Sequence, residues 1–495
     1  MHNNTIMKFN VTLMSPIGYV HGLALLELAE FINNQIIRCG YISSLSKNRV
    51  IYDGINIILG AHIQPEKYVN LADNCIIFNS EQLSENSTWT NTDYKNILKN
   101  NYVWDYSSFN LNCITHNNKS LIYLNFDKNL RRINLNHEKE WDILFYGSLN
   151  DRRIKILDRL DGKGLKIKRL FGVYGPERDH FLSNCRSVLN LHFYDSQILQ
   201  QIRIFYPLIN RIPVISENYP INSGPEFYKK CLFTPGTINF EEYVSDLLND
   251  NEQLFNNKVI DKVAEFELTE NTEDFNKVIL SAIKFFSINS KSQIPNNLTK
   301  INLGSGKDYK IGFLNLDIKP NTNPDIVLDL SKKINLPFVV NSKFHGNITF
   351  QENQFIEIIA IDVLEHVQNL ELLMTNCLKL LSVGGKLIIS VPYELSYGAW
   401  QDPTHVRAFN QNSWIYYTDW FWYLGWFDYK FELLELNFLP SALGKNLIEK
   451  NIDKDVILST PRAIESMSVI FVKRQTNFQE KNLARSYGSN LVDYF

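Results

Sequence analysis

Two glycines and an aspartate past the middle of the chain have the types and spacing that bind a nucleoside. One short apolar run ends in Gly304-Ser305-Gly306, and the next apolar run ends in Asp317. Glycines let the backbone approach a ligand closely, and an acid after the following strand accepts hydrogen bonds from ribose hydroxyls. Tyr309 stands where a dinucleotide fingerprint would have its third glycine. The pattern therefore favours a nucleoside ligand that has no pyrophosphate.

Histidines and carboxylates in two later stretches could activate a hydroxyl nucleophile. His366 follows an apolar run that ends at Asp362, and His405 closes the stretch Asp402-Pro403-Thr404-His405. A general base near an acceptor hydroxyl assists the removal of its proton, and imidazole has a suitable pKa. We expect His405 and His366 to supply this base, with Asp402 as an orienting partner. The alternatives are a capped turn with an exposed imidazole at His405 and a backbone contact only at His366.

The elements that position these residues alternate between strand and helix. Apolar runs at 301–303 and 356–361 indicate buried strands, and a helical pattern covers 370–381. A further strand at 386–391 follows the glycine turn at Gly384-Gly385. Strands joined in this way form a doubly wound parallel sheet. The predicted fold class is therefore α/β with a Rossmann-like sheet.

Five motifs occur in order between residues 298 and 475. They are Leu303-Gly304-Ser305-Gly306, Asp317, Val327-Leu328-Asp329-Leu330, Asp362-Val363-Leu364-Glu365-His366-Val367 and Leu380-Leu381-Ser382-Val383-Gly384-Gly385-Lys386-Leu387. This region resembles class I methyltransferases of the type 11 group, whose members also contain the Asp-Pro-Thr-His-x-Arg string. The resemblance implies S-adenosylmethionine as the cofactor, bound by Gly304, Ser305, Gly306, Asp317, Asp329, Asp362 and Glu365. It also implies a substrate contact at Arg407.

The chain departs from this family at two points. Asn302 stands where the family usually carries an acid, so we expect the methionine amino group of the cofactor to be bound by other groups. The connection from Gly306 to Asn315 is too short for a full crossover helix between parallel strands. Members of the family with a shortened first connection exist, so the assignment holds. No metal site is predicted, since the histidines and acids lack a tight ligand spacing.

The composition predicts a globular protein of two or three domains. The chain has 495 residues, of which 44% are hydrophobic and 21% charged. A net charge of −3 gives no electrostatic case for binding nucleic acid. Six scattered cysteines favour reduced thiols in the cytoplasm over a disulfide framework. No apolar run reaches about 18 residues, and the N-terminus lacks a signal peptide, so we expect no membrane span.

The pattern of strands and helices divides the chain into five segments. We expect an N-terminal lobe at 7–135, a second lobe at 136–286, a polar linker at 287–297, the methyltransferase-like domain at 298–475 and a polar tail at 476–495. The first two segments each alternate strand and helix. They are therefore predicted to be two facing nucleotide-fold lobes with a cleft between them.

A second resemblance covers most of residues 7–250. The run Phe145-Tyr146-Gly147-Ser148-Leu149-Asn150, followed by Arg152 and Arg153, and the run from Pro207 to Glu217 resemble the donor lobe of GT-B glycosyltransferases. Backbone N–H groups of Gly147 and Ser148 could bind a diphosphate, with Arg152, Arg153 or Arg203 neutralising its charge. Glu217 could hold a hydroxyl-rich ligand, and His21 could be the acceptor-side base.

This second resemblance is incomplete. Retaining members hold the donor with two glutamates, and the matching positions here are Ile198 and Tyr206. The alternatives without a binding role are that the arginines are solvated at a helix start and that Glu217 merely ends a strand. Use of a nucleotide-sugar donor therefore rests on the remaining residues of the loop after Phe145.

Together these patterns predict a two-module enzyme of glycan assembly, in which the C-terminal module methylates a hydroxyl of a sugar or glycan acceptor. The N-terminal module would bind or transfer a sugar from a nucleotide donor. Two alternatives stay open: an inactive glycan-recognition module joined to a methyltransferase, or a methyltransferase whose substrate is unrelated to sugars. The oligomeric state is not predicted by any of these patterns.

Overall fold

The computed structural model describes residues 7–16, 18–51, 54–63, 74–83, 92–194, 196–220, 224–249, 252–289, 298–342 and 345–488. The chain forms two compact units, one from Met1 to Ile294 and the other from Pro295 to Phe495. Both are α/β units with parallel strands, which confirms the predicted fold class. The division falls within the predicted linker, whose residues 290–297 lie outside the described part of the chain.

The first lobe of the N-terminal unit is a parallel sheet in the order β2-β1-β3-β4-β5-β6. Its strands are β1 (Lys8–Leu13), β2 (Ile42–Lys47), β3 (Ile55–Leu59), β4 (Cys75–Asn79), β5 (Tyr102–Asp105) and β6 (Lys119–Leu121). Helices α1 (Leu26–Arg38), α2 (Thr92–Asn100) and α3 (Ser108–Asn112) connect them, with 3-10 turns at Val20–Leu25 and Lys128–Leu130. β3 and β4 are fully buried, which explains their continuous apolar sequences.

The second lobe is a parallel sheet in the order β10-β9-β7-β8. Its strands are β7 (Trp141–Tyr146), β8 (Ile167–Leu170), β9 (Cys185–Asn190) and β10 (Val214–Ser216). Its helices are α4 (Asp151–Asp161), α5 (Gly175–Ser183), α6 (Gln201–Ile209), α7 (Phe227–Cys231), α8 (Phe240–Asn249) and α9 (Glu252–Glu267). The Asn150 side chain accepts a hydrogen bond from Arg153 N at 2.9 Å, so α4 begins with a capped first turn.

The last helix of this unit, α10 (Glu273–Asn289), returns to the first lobe. Phe275 contacts the rings of Phe31 and Trp104 at centroid distances of 6.4 and 5.8 Å. One hydrophobic core includes residues of both lobes, whereas a separate core on the other face of the second sheet uses only residues 143–255. The first lobe therefore extends beyond the predicted segment 7–135, because its apolar sheet face is covered by a helix from the end of the unit.

The C-terminal unit is built on a seven-stranded sheet in the order β13-β12-β11-β16-β17-β19-β18. Its strands are β11 (Lys300–Leu303), β12 (Leu314–Asp317), β13 (Ile326–Val327), β16 (Phe355–Ile361), β17 (Leu381–Pro392), β18 (Tyr429–Pro440) and β19 (Ile464–Gln475). The strands pair in parallel except for β19, which is antiparallel to both neighbours. A hairpin of β14 (Phe338–Ser342) and β15 (Gly346–Phe350) forms a separate small sheet.

The helices of this unit are α11 (Leu370–Leu380), α12 (Gly398–Gln401), α13 (Ala442–Glu449), α14 (Lys454–Ser459) and α15 (Phe478–Gly488). Short 3-10 turns lie at Pro320–Thr322, Leu364–His366, Gln411–Tyr417 and Phe421–Leu424. The residues expected to form a polar tail thus include a helix, in which Glu480 bonds Lys430 and Arg474 and Ala484 is buried. Residues 489–495 lie outside the described part.

Two local features differ from a regular doubly wound sheet. No helix joins β11 to β12, as the short connection predicts. The glycine turn expected before the strand at 386 lies inside β17, because Phe355 pairs with Leu381 and Glu357 pairs with Lys386. The turn therefore loops out between two points of the same ladder, and Gly384 adopts a φ of +82° there. None of the helices in the described ranges has the length and apolar character needed to cross a bilayer.

Candidate functional site

The C-terminal sheet has a switch point between β11 and β16. From β11 the chain moves outward through β12 to β13, and it then returns to add β16 and β17 on the other side. In open α/β sheets ligands bind outside the carboxyl ends of the strands at such a point. The residues that follow the two strands are Gly304-Ser305-Gly306 and Asp362 through His366. The topology therefore brings the two principal predicted motifs to one edge.

The glycine loop after β11 is tightly fitted against the loop after β16. Gly304 and Gly306 have φ values of +64° and +46°, which glycine adopts without strain. A Cβ atom added to Gly304 would lie only 2.4 Å from Cγ2 of Val363. Gly306 N donates to Asp317 Oδ2 at 2.7 Å, and Lys319 N donates to Asp317 Oδ1 at 2.8 Å. Each carboxylate oxygen keeps acceptor capacity for a ribose hydroxyl, so these residues fit the predicted cofactor.

Asn302 has a structural task that explains the departure from an acid. Its Nδ2 donates to the Asp308 carbonyl at 2.8 Å and to Asn315 Oδ1 at 2.9 Å. Lys310 N donates to the same Asn315 oxygen at 2.8 Å. Because an amide can donate where a carboxylate cannot, this network shapes the connection that lacks a helix.

Two further residues that were predicted to bind the cofactor, Asp329 and Ser305, form hydrogen bonds within the protein. Asp329 closes a turn after β13, since its Oδ1 accepts from Ser331 N and Oγ at 2.9 and 2.6 Å. Ser305 is buried, and its N–H donates to the Leu316 carbonyl at 2.8 Å. Their contacts with a cofactor stay predictions.

Two carboxylates follow β16 in different environments. Asp362 is exposed and has a φ of +52°, a left-handed conformation that is uncommon outside glycine. Glu365 is only 1% exposed. Burial, together with the nearby negative charge of Asp362, raises the pKa of Glu365 to about 7. Glu365 is therefore a buried acid beside a polar edge, as functional sites often hold.

The two predicted histidines lie side by side. The rings of His366 and His405 have centroids 4.6 Å apart and meet at 73°. Nδ1 of His405 lies 2.9 Å from the Ala399 carbonyl, and Nδ1 of His366 lies 2.9 Å from Thr404 Oγ1. Asp402 Oδ1 accepts from Thr404 Oγ1 at 2.7 Å, so Asp402 orients His366 through Thr404. Residues distant in sequence thus meet at the switch point.

Arg407 holds this group together. Its Nη2 donates to the carbonyls of Val367 and Gln368, both at 2.8 Å. Next to it, Val406 N donates to the Glu365 carbonyl at 2.8 Å. These bonds tie the segment that carries His405 to the turn that carries Glu365. The geometry supports a positioning role for Arg407, and its predicted substrate contact stays a prediction.

The N-terminal unit contains a cavity of about 540 Å³ between its two lobes. Gly147, Ser148, Arg153 and Arg203 line it, together with His21. Arg152 and Glu217 line a different depression, where their side chains form an ion pair, and Glu217 also accepts from His192 N at 2.7 Å. The structure therefore brings together four of the six predicted donor residues and separates the other two.

Three arginines that line the cavity differ in the hydrogen bonds and ion pairs that they form with the protein. Arg153 is fully buried and donates to the carbonyls of Ser148, Leu191 and His192 at 2.5 to 3.2 Å. Arg178 pairs with Glu27 at 2.7 Å. Arg203 donates to Leu191 O at 3.3 Å and lies so close to Gly147 that an added Cβ would be 3.1 Å from its Nη2. Gly147, with a φ of +134°, therefore makes room for the Arg203 guanidinium.

Sequence reasoning missed a histidine–glutamate pair in this cavity. His62 Nε2 lies 3.2 Å from Glu81 Oε1, and both residues line the cavity. His62 follows β3 and Glu81 follows β4, so their places after two buried strands were the available signal. Burial lowers the pKa of His62 to about 4 and raises the pKa of Glu81 to about 7. His21 lies at the same cavity, with Nδ1 2.8 Å from the Tyr174 hydroxyl.

The His62–Glu81 pair predicts a pH effect that appears only when one partner is removed. Between pH 4.5 and 6.5, the folded pair and its unfolded counterpart each hold one proton, so their combined contribution to stability is flat. In Glu81→Gln the folded His62 stays neutral while the unfolded histidine binds a proton. The stability of this variant should fall by about 2 kcal/mol from pH 6.5 to pH 5.

Urea unfolding at several pH values measures this difference between the variant and the wild type. His62→Asn is the matched variant with the opposite sign. Its remaining Glu81, with a raised pKa, should make the stability fall as the pH rises from 4.5 to 7. If the free energy of unfolding of the wild type and of both variants changes with pH in the same way, the shifted pKa values of His62 and Glu81 are contradicted.

Comparisons with known proteins give partial similarities. No protein-family model matches the chain. An uncharacterized protein, L137, of Acanthamoeba polyphaga mimivirus is 31% identical over 191 residues, which are 37% of this chain and 25% of that protein. The chain spans less than two thirds of the length of each mimivirus relative that it matches.

Solved structures that are similar to the chain include both predicted types of fold. A SAM dependent methyltransferase from Archaeoglobus fulgidus matches with a TM-score of 0.24 and 14% identity, covering 40% of this chain and 93% of that one. AviGT4, a glycosyltransferase involved in avilamycin A biosynthesis, matches with a TM-score of 0.37 and 10% identity, covering 57% and 99%. These similarities assign no activity to this chain.

Proposed function

We propose that the C-terminal unit is an S-adenosylmethionine-dependent methyltransferase that acts on a hydroxyl group. The observation that carries the proposal is the contact at the switch point between the Gly304 loop and the Val363 turn. This contact brings a nucleoside-type loop with Asp317 next to the histidine and carboxylate group. When bound, the cofactor supplies an electrophilic methyl group on a sulfonium.

Each residue of the site has a task in this proposal. The backbone of Gly304 to Gly306 approaches the cofactor closely, and Asp317 accepts from its ribose hydroxyls. Asp329, Asp362 and Glu365 complete the cofactor side, as the family resemblance implies. His366 and His405, oriented through Thr404 and the Ala399 carbonyl, help the acceptor hydroxyl to lose its proton. Holding the acceptor oxygen in line with the methyl carbon contributes the remaining rate enhancement.

A sugar or glycan is the proposed acceptor. Tyr397 and Trp400 come directly before the segment that carries His405, and they are 63% and 65% exposed. Large exposed aromatic rings beside a site are typical of surfaces that bind a ligand. The flat ring of Trp400, and the face of Tyr397 opposite the Arg462 guanidinium, match the C–H face of a pyranose. A methyltransferase for an acceptor unrelated to sugars is the alternative, and it would also use these rings.

Calorimetric titration of the full chain with S-adenosylhomocysteine tests the cofactor assignment. We expect one binding site per chain. A panel of sugar-nucleotides and oligosaccharides with methyl-labelled cofactor then tests the acceptor. Absence of any heat with S-adenosylhomocysteine would overturn the proposal, whereas cofactor binding with methylation only of non-sugar acceptors would replace the glycan by another substrate.

As a second function, we propose that the N-terminal unit binds a nucleoside diphosphate or a nucleotide-sugar donor. The cavity between its lobes is lined by arginines of the second lobe and by His21, His62 and Glu81 of the first lobe. Arg203, with the fewest protein hydrogen bonds of the three described arginines there, is the candidate for a diphosphate contact. The missing glutamate pair leaves a recognition module without transfer activity as the alternative.

Arg203→Met should weaken binding of uridine diphosphate to the full chain by roughly 10- to 100-fold, because one charge-assisted hydrogen bond is lost. Isothermal titration calorimetry measures the affinity. Arg152→Met is the matched control, since Arg152 pairs with Glu217 in a different depression and should leave the affinity unchanged. Equal losses in both variants would place the nucleotide elsewhere.

A further inference from the structure

Three electron-pair donors converge at the edge of the C-terminal sheet. One ligand atom each of Glu365, His366 and His405 lies within 4.8 Å of the others. Two of these residues follow β16, and the third comes from the segment after α12, about 40 residues later. The hydrogen bonds donated by Arg407 and by the backbone of Val406 hold the two segments in this arrangement. The convergence is therefore built by tertiary contacts and not by a local sequence spacing.

The buried carboxylate of Glu365 lacks a hydrogen-bond donor from any other residue that the structure describes. Glu365 is 1% exposed, and no other residue in the described part of the chain donates a hydrogen bond to either of its oxygens. A buried acid without a donor from another residue is costly, and such a group in a native structure calls for an explanation such as a bound ion. A positively charged ligand next to Glu365 would remove that cost.

The tautomers of both histidines are fixed by their neighbours. The Ala399 carbonyl can only accept, so His405 Nδ1 carries the proton and Nε2 has the lone pair. The single hydroxyl proton of Thr404 goes to Asp402 Oδ1, so Thr404 Oγ1 accepts from His366 Nδ1. Each imidazole therefore offers Nε2 as an acceptor. Hydrogen bonding of the second ring nitrogen is the usual arrangement of metal-bound histidines.

We propose that Glu365, His366 and His405 form a site for a divalent transition-metal ion. Two imidazoles and one carboxylate suit zinc, iron or cobalt better than magnesium or calcium, which prefer oxygen ligands. Ligand atoms around a tetrahedral ion with bonds of about 2.1 Å are roughly 3.4 Å apart. The three ligand atoms lie within 4.8 Å of one another, so the exposed His366 ring would have to rotate when an ion binds, and its exposure gives the ion access.

The role of this ion rests on the proposed function, whereas its binding does not. An ion at this place lies on the acceptor side of the methyl-transfer site. A metal ion lowers the pKa of a hydroxyl oxygen that it contacts, so the proton can leave to solvent water. The oxygen then forms its bond to the methyl carbon as the carbon–sulfur bond breaks and its electron pair stays on sulfur. In this scheme His366 and His405 act as ligands of the ion instead of as a base, and Glu365 acts as a ligand of the ion instead of as a contact of the cofactor.

Titration of the chelator-treated, untagged full chain with Co²⁺ tests the proposal. Visible absorption reports the ligand field, and calorimetry with Zn²⁺ reports the affinity. We expect one ion per chain. His405→Ala and Glu365→Gln should weaken binding by roughly 100-fold or more, and Thr404→Val by roughly tenfold, because it frees the His366 ring. His137→Ala, which removes an exposed histidine of the other unit, should change nothing.

The outcomes separate the metal site from the methyltransferase. S-adenosylhomocysteine titration of the same samples checks the proposed function independently. Co²⁺ binding that is lost in His405→Ala supports the metal site even if S-adenosylhomocysteine does not bind. No Co²⁺ binding, or Co²⁺ binding that is equal in the wild type and in all three site variants, overturns the metal site. Circular dichroism of each variant confirms that it is folded.

Discussion

Gly304→Val should weaken S-adenosylhomocysteine binding by roughly 100-fold, which amounts to about 3 kcal/mol. The backbone of Gly304 has a φ of +64°, which strains a β-branched residue. In addition, the new Cβ would lie 2.4 Å from Cγ2 of Val363, so the loops after β11 and β16 would have to separate. Calorimetric titration of the full chain measures the affinity.

Gly312→Ala is the matched control in the same connection. Gly312 also has a positive φ, +81°, but an added Cβ there would meet no atom within 4 Å. This variant therefore carries backbone strain without a clash, and we expect its affinity to stay within about threefold of the wild type. Unchanged binding in Gly304→Val would mean that the glycine loop is not the cofactor site.

Glu27→Ala should lower the free energy of unfolding of the N-terminal unit by about 3–5 kcal/mol. Glu27 in α1 and Arg178 in α5 are 3% and 5% exposed and form two hydrogen bonds, at 2.7 and 3.3 Å. Removal of the Glu27 carboxylate leaves the Arg178 guanidinium buried between the two lobes with too few hydrogen-bond acceptors. Hydrogen exchange of peptides from α1 and α5, in the full chain, reports the loss locally.

The pair Arg159–Glu241 provides the control for this prediction. Glu241 is itself 9% exposed, but the Arg159 side chain that it leaves behind is 62% exposed and stays hydrated, so Glu241→Ala should cost only about 1 kcal/mol. The double variant Glu27→Leu with Arg178→Met should regain part of the stability, because no charge then stays buried. Equal losses for Glu27→Ala and Glu241→Ala would show that burial of the arginine left without its partner does not decide the effect.

The sequence patterns predicted the strands well, because strands depend on local signals. Buried strands such as β3 and β16 appear as continuous apolar runs, and the glycine loop lies directly after one of them. The two histidines were predicted as candidates from their motifs. The short connection before β12 was also correctly expected to lack a helix.

Features that depend on contacts between distant residues could not be predicted in this way. The approach of His366 to His405 requires the hydrogen bonds that Arg407 donates to the turn after His366. The His62–Glu81 pair requires two neighbouring strands to be in register. The place of Arg152 was misjudged for a related reason. It is adjacent in sequence to Arg153, but successive residues on a helix point in different directions, so they line different surfaces.

The return of α10 to the first lobe has a consequence for synthesis on the ribosome. The second lobe has a core face that is complete once residue 255 has emerged, whereas the first lobe waits for Phe275. Although the first lobe is made earliest, the part of its core around Phe31 and Trp104 stays uncovered until α10 has left the exit tunnel. One core face of the later lobe can therefore form before this part of the earlier lobe is covered.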